Sequence, residues 1–123
     1  GRGAFLQVAE VRQGIGAPNN LAWLVARHPL SVVMPIVLSG ARVPAERLLA
    51  LGIAHEVVAD DDCRARARAL AGDIAGFPPG AGRTMKAAVL ELAGVADVET
   101  WFDRAAAASP RPPGTGFRPR RVD

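Results

Sequence analysis

The chain is poor in the residues that most often announce a chemistry. Its 123 residues include one cysteine, Cys63, and two histidines, His28 and His55. A single cysteine excludes an internal disulfide and supplies too few ligands for a cysteine-based metal site, which suits a reducing compartment. Cys63 follows Asp60, Asp61 and Asp62 with no neighbouring cation to favour the thiolate, so it reads as an inert thiol. His28 and His55 stand alone, and no Ser/His/Asp or Cys/His constellation is evident. Zinc, P-loop and dinucleotide fingerprints are missing, as are internal repeats. Long apolar runs are missing too. The stretch from Leu30 to Leu38 is broken by Pro35 and falls far short of the roughly 20 residues that span a bilayer. No charged-then-apolar signal segment opens the chain. Basic residues are not interleaved with aromatics, since only Phe117 lies among the arginines of the C-terminal tail, which argues against nucleic acid. These absences lead us to expect a cytoplasmic protein without a membrane or nucleic-acid partner and without a metal or redox cofactor.

What is present suits a packed domain. Half of the residues are hydrophobic, and the formal charge is only +3, a balance compatible with a core in a chain of this length. The excess charge is unevenly placed, because Arg111, Arg118, Arg120 and Arg121 crowd a Pro/Gly-rich tail. That tail reads as a solvated terminus, with anion binding through Arg111 to Arg121 as its functional alternative. Gly1-Arg2-Gly3 leads straight into Ala4-Phe5-Leu6-Gln7-Val8 without an initiator methionine, which looks like a chain entered midway.

The local signals order themselves clearly. Phe5 to Val8 alternates and predicts a short strand, and Glu10 to Pro18, with Gly14 and Gly16, predicts a turn-rich connection. Asn19 or Asn20 is the expected N-cap of a helix carrying Leu21, Trp23, Leu24 and Val25, which His28-Pro29 ends. A second apolar helix opens at Pro29, passes Pro35 and stops at Gly40. Pro44 suits the first turn of a third, Leu48, Leu49 and Leu51 form its apolar stripe, Gly52 ends it, and Val57-Val58 predicts a strand. The acidic triplet at Asp60 begins a helix running to about Ala75, where the helix dipole favours negative charge. Arg64, Arg66 and Arg68 cannot share one face at helical spacing, so most of them should meet water. Phe77-Pro78-Pro79-Gly80 breaks the chain before a helix from Thr84 to Leu92, which Gly94 stops. A last helix, Val98 to Ala108, carries Trp101 and Phe102, expected as core aromatics.

Glu10 stands between a strand and a Gly-rich connection, where a carboxylate can be held rigidly while the backbone turns close to a ligand, as a candidate catalytic residue, or can serve as a salt-bridge partner or strand-end surface charge. The segment Phe5-Leu6-Gln7-Val8-Ala9-Glu10-Val11-Arg12-Gln13-Gly14-Ile15 resembles the Phe-x-x-Pro-Glu-Val-x-x-Gly-Ile pattern of the enoyl-CoA hydratase/isomerase (crotonase) family. So does the later run in which Gly40, Pro44-Ala45-Glu46, Leu51-Gly52-Ile53 and Val57-Val58 follow one another. Phe77-Pro78-Pro79-Gly80 through Met85-Lys86-Ala87-Ala88 is similar to a further family segment. Together the similarity runs from about Phe5 to Leu92. Two departures stand out: Ala9 replaces the usual proline, and Ala17-Pro18-Asn19-Asn20-Leu21-Ala22-Trp23-Leu24 replaces a glycine-rich stretch, so the pocket beside Glu10 must be lined differently.

The resemblance implies an α/β, crotonase-like (ββα spiral) fold, of which this chain would be the mostly helical C-terminal part. Residues 1–58 would end the spiral core and carry the glutamate segment, residues 59–109 would form a helical cover and oligomerisation region, and residues 110–123 a flexible basic tail. It further implies an acyl-CoA-processing enzyme, hydratase or isomerase, with Glu10 as proton donor or acceptor and Gly14, Ile15 and Pro18 beside the substrate. The substrate is a coenzyme A thioester, and the assembly a homotrimer or a pair of trimers. In the family the two oxyanion donors and the second hydratase glutamate precede this segment and have no counterpart in residues 1–123, so the isolated chain is expected to be inactive. A non-catalytic helical interaction module is the alternative. The half-enzyme reading expects apolar surface left uncovered at Leu21, Trp23, Val32, Val33, Ile36 and Leu38, and the helical-module reading expects the same unless the helices close on one another.

Overall fold

The computed structural model describes residues 1–95 and 97–108. It is mostly helical, with one small sheet. The short strands β1 (Phe5–Leu6) and β2 (Val43–Pro44) pair antiparallel, Phe5 opposite Pro44 and Leu6 opposite Val43. Between them lie a 3-10 turn (Ala9–Gln13) and the helices α1 (Pro18–Arg27) and α2 (Leu30–Ser39). Helix α3 (Ala45–Ala50) follows β2, and a second 3-10 turn (Asp60–Asp62) leads into α4 (Cys63–Ala75), α5 (Ala81–Leu92) and α6 (Val98–Ala108).

The strand expected at Val57-Val58 does not form. Val57-Val58 joins no strand ladder among the described residues, though the Val58 carbonyl accepts a hydrogen bond from the Arg2 N–H at 3.0 Å. Strand β1 pairs with the two residues just before α3. Pro44 thus closes the strand and caps the helix, so its fixed φ and missing N–H serve both elements. Helix α1 also starts differently. Ala17 is its N-cap and Pro18 its first residue, with no side-chain cap, so Asn19 and Asn20 fall inside the first turn and Asn20 is free to reach elsewhere. Helix α5 begins three residues ahead of the expected Thr84, because Gly80 makes the turn that lets Ala81 start it.

The core lies where β1, α1, α2 and the region around α3 converge. Val8, Leu24, Val33 and Ile36 are buried together, with Leu6, Val32, Val43, Leu51 and Ile53 packed against them. Val33 and Ile36 are therefore covered, at 2% and 3% exposure, contrary to the uncovered face expected of them. Their burial follows from the i, i+3 spacing that points both into the core. Trp23 and Leu38 do remain exposed. Helix α3 ends with the Gly52 N–H bonded to the Leu49 carbonyl and the Ile53 N–H to the Leu48 carbonyl, the paired bonds of a Schellman stop.

Helix α6 returns to pack along α1. The Trp101 indole N–H donates to the Ala22 carbonyl at 2.8 Å, and Phe102 meets Trp23 edge to face at a ring separation of 5.9 Å. These aromatics join two helices, and Trp101 and Phe102 stay half-buried rather than fully enclosed. Helices α4 and α5 bury no residue fully. Of the α4 arginines, Arg66 departs from the expectation of simple hydration, since its Nε donates to both Glu56 oxygens at 2.8 and 2.9 Å. Lys86 is exposed, as a solvent-facing helix residue. The basic tail, residues 110–123, lies outside the described residues.

Candidate functional site

Glu10 sits on the second residue of the 3-10 turn Ala9–Gln13, and the chain is fixed on both sides of it. On the N-terminal side Val8 is buried in the core at 2% exposure. On the C-terminal side Arg12 reaches the end of α2, where its Nη2 donates to the Ser39 carbonyl at 3.4 Å. A cation suits the negative end of a helix dipole. Gln7 adds a second tie, its Nε2 donating to the Gly40 carbonyl at 2.9 Å. Gly40 is required there twice over. Its φ of 57° is left-handed, and a β-carbon would lie 2.9 Å from Val11 Cγ1 and 3.0 Å from Arg12 Nε.

The turn closes behind the glutamate through two backbone bonds, Gly14 N–H to the Val11 carbonyl and Ile15 N–H to the Glu10 carbonyl, both 3.2 Å. Gly14 takes φ 68° to allow this, and open space surrounds it. Of the three residues expected beside the substrate, Gly14 and Ile15 thus follow the Glu10 turn directly and Pro18 opens the next helix. Gly14 is exposed, while Ile15 and Pro18 are half-buried, Pro18 as the first residue of α1.

The Glu10 side chain is half-buried, and its Oε1 accepts a hydrogen bond from Asn20 Nδ2 at 3.0 Å. Among the described residues no donor reaches Oε2, and no buried side-chain polar atom is left without a partner, so Oε2 opens onto accessible space. A carboxylate held at one oxygen and open at the other can give or take a proton at the open one. Asn20 was legible in the sequence only as a capping candidate. Its contact with Glu10 depends on the 3-10 turn folding back onto the first turn of α1, which no local pattern announces.

The other features lie apart from this turn. A cleft of about 380 Å³ between α1 and α6 is lined by Leu21, Ala22, Val25, Trp101, Arg104 and Ala105, among others, and by none of Glu10, Gly14, Ile15 or Pro18. Cys63 is exposed. His55 is exposed and His28 half-buried. Among the described residues no group of three or more His, Cys, Asp and Glu is placed to hold a metal ion, and no helix is long and apolar enough to cross a membrane. The charge partners are local. Arg66 holds the Glu56 carboxyl below its ordinary range through their hydrogen bond, and that contact raises Arg66 in turn. Comparison with protein-family models, with curated proteins and with solved structures finds no match to the chain.

Proposed function

We propose that the chain carries the glutamate segment of an acyl-CoA-processing enzyme of the enoyl-CoA hydratase/isomerase type, with a crotonase-like spiral as its complete fold. One observation carries this reading: Glu10, the residue matching the family's catalytic glutamate, is held by its backbone on both sides and keeps one carboxylate oxygen open. In the hydration direction a second base of the complete site takes a proton from water as the water oxygen bonds to the β-carbon of the thioester, leaving the enolate. The O–H bond at Oε2 of Glu10 then breaks as a C–H bond forms at the α-carbon, and the O–H electron pair stays on the carboxylate. In an isomerisation the same oxygen takes the proton first and returns it at another carbon. The enolate between these steps needs two N–H donors aimed at the thioester oxygen. Residues 1–123 contain no match to the family's oxyanion segments, so the chain works as part of a larger protein or beside a partner subunit. A trimeric assembly of the family type would supply apolar surface for α4 and α5.

The test is turnover of crotonyl-CoA. In the complete protein, Glu10→Gln keeps the side chain's shape but cannot transfer the proton, and kcat should fall roughly 10²-fold with KM little changed. Residues 1–123 alone should show none, because each missing oxyanion donor is worth about 2.7–4 kcal/mol. An unchanged kcat for Glu10→Gln would return Glu10 to a plain surface carboxylate. The exposed stripe of Met85, Val89 and Leu92 on α5 also favours a second reading, a non-catalytic helical module that binds through this face.

A further inference from the structure

We propose that Asn20 is the positioning residue of Glu10, reserving Oε1 so that the mobile proton is carried by Oε2. This rests on the acid–base role proposed for Glu10 above and adds to it a residue drawn from the stretch where the chain departs from the family pattern.

Asn20 is exposed, but it stands on a helix whose backbone is held at two points. It is the third residue of α1, one turn ahead of the buried Ala22 and Leu24. Helix α1 is fixed by the Leu24 contact with Val33 and Ile36 in the core. It is fixed again where the Ala22 carbonyl accepts the Trp101 indole N–H. A short side chain on so constrained a helix has few conformations to lose, so its single bond to Glu10 orients the carboxylate at low entropic cost.

The chemistry of the donor matters as much as its rigidity. An amide N–H is neutral, so it orients Glu10 without the added charge of a lysine or arginine, which would hold the carboxylate in one protonation state. The bond also survives proton transfer. When Glu10 is ionised, Oε1 accepts from Nδ2 as a carboxylate oxygen; when Glu10 is protonated on Oε2, Oε1 is the acid's carbonyl oxygen and still accepts. Protonation on Oε1 instead would set its O–H against the amide N–H unless the amide turned over to present Oδ1, which gives up the donor that orients the carboxylate. Asn20 therefore assigns the two oxygens different tasks in both states. A rotated carboxyl would present the proton in the wrong direction, a misplacement that costs turnover more than substrate affinity.

The competing explanation is that Asn20 merely tethers the 3-10 turn to α1. Its position in the helix separates the two. An aspartate at the third residue favours the positive end of the helix dipole, so Asn20→Asp should hold or raise the helix's stability while removing the donor and placing a like charge against Glu10. Leucine has nearly the same shape and removes the donor without charge. Glutamine restores a donor on a longer arm.

Turnover of crotonyl-CoA and thermal midpoint, measured in the complete protein for Asn20→Asp, Asn20→Leu, Asn20→Gln and Glu10→Gln, decide it. The expected result is kcat at least tenfold lower for the Asp and Leu variants, KM within about twofold, partial recovery in the Gln variant, and an undiminished Tm in the Asp variant. If the Asp and Leu variants keep the wild-type kcat while Glu10→Gln loses it, the positioning role is wrong and the acid–base role of Glu10 stands. Losses in kcat that simply follow Tm across the series would also overturn it in favour of the tether. If the wild-type protein does not turn over crotonyl-CoA, or Glu10→Gln does so as well as wild type, the proposed function fails and the role of Asn20 falls with it.

Discussion

Residues 5–53 and residues 63–92 use similar materials to different ends. In the first region β1, α1, α2, β2 and α3 enclose Val8, Leu24, Val33, Ile36, Ala45 and Leu48, and the glutamate turn is tied to this core. In the second, α4 and α5 have regular hydrogen bonding and well-formed ends, yet none of their residues is buried. Met85, Val89 and Leu92 share one face of α5 at i, i+4, i+7 spacing and lie 68%, 60% and 90% exposed. Isolated helices of 12 or 13 residues are marginal in water. Local sequence therefore sets the bounds of α4 and α5 without holding them firmly, whereas the core of residues 5–53 is held by contacts between distant segments. An amphipathic helix without a packed face is half of an interaction, and within the proposed function that face belongs against another part of the protein or another subunit.

The sharpest way to break this contrast is to truncate one residue in each region. Ile36→Ala removes a side chain 3% exposed in the core and should cost about 2–5 kcal/mol, a large share of the roughly 5–15 kcal/mol that holds a typical domain. Leu92→Ala removes one 90% exposed and should change the stability of the isolated chain by less than about 0.5 kcal/mol. Denaturant midpoints of the two variants check this. Equal losses would mean that α5 is packed in solution and that the two regions form one cooperative unit.

What was legible in the sequence divides along the same line. Helices α2 and α4 end close to where Gly40 and Ala75 place them, and α6 starts at Val98 as its sequence indicates, because these bounds are written in adjacent residues. The Gly52 stop was legible for the same reason. What was not legible depended on distant partners. Val57-Val58 has strand-forming residues, but β1 pairs with Val43–Pro44, since strand propensity does not choose the neighbour. Asn19 and Asn20 have capping side chains, but Pro18 at the first helical position moved the cap to Ala17. At the candidate site, Glu10 stood out through its place between a strand and two glycines. The ties that hold it, Gln7 to Gly40 and Arg12 to Ser39, span 33 and 27 residues and left no local trace.

A smaller effect sharpens the comparison from the outside. If the α5 face is meant to be covered, the isolated chain should self-associate at micromolar concentration, because contiguous apolar patches beyond a few hundred Å² are uncommon on monomers. Met85→Glu combined with Val89→Glu should then weaken association about tenfold or more, roughly 1.4 kcal/mol, without lowering the stability of residues 5–53. Sedimentation velocity across a concentration series measures both. A compact monomer with no binding of hydrophobic dye would mean that the exposed stripe needs no partner.

The smallest expected effect concerns α6, which docks on helix α1 of the packed region. Asp97 precedes the helix and caps it: Oδ1 accepts the Thr100 N–H at 3.0 Å, and Oδ2 accepts the Thr100 hydroxyl. These bonds, the hydroxyl's first, hold the Asp97 carboxyl below its ordinary range. A lowered carboxylate pKa means that the cap's contribution is complete above the ordinary aspartate value of about 3.9 and is lost as pH falls through the lower, folded value. The cap is exposed, so the loss should be a local loosening of α6 rather than unfolding of the chain. The Trp101 indole N–H, fixed by its bond to the Ala22 carbonyl, reports on it by NMR. On acidification its resonance should drift towards that of a free indole in the wild type but not in Asp97→Asn, which caps without titrating. The buried core around Val33 should stay unchanged over the same range. If the indole is equally stable in both proteins down to the lowest pH, packing along α1 alone holds α6, and the helix belongs energetically with residues 5–53.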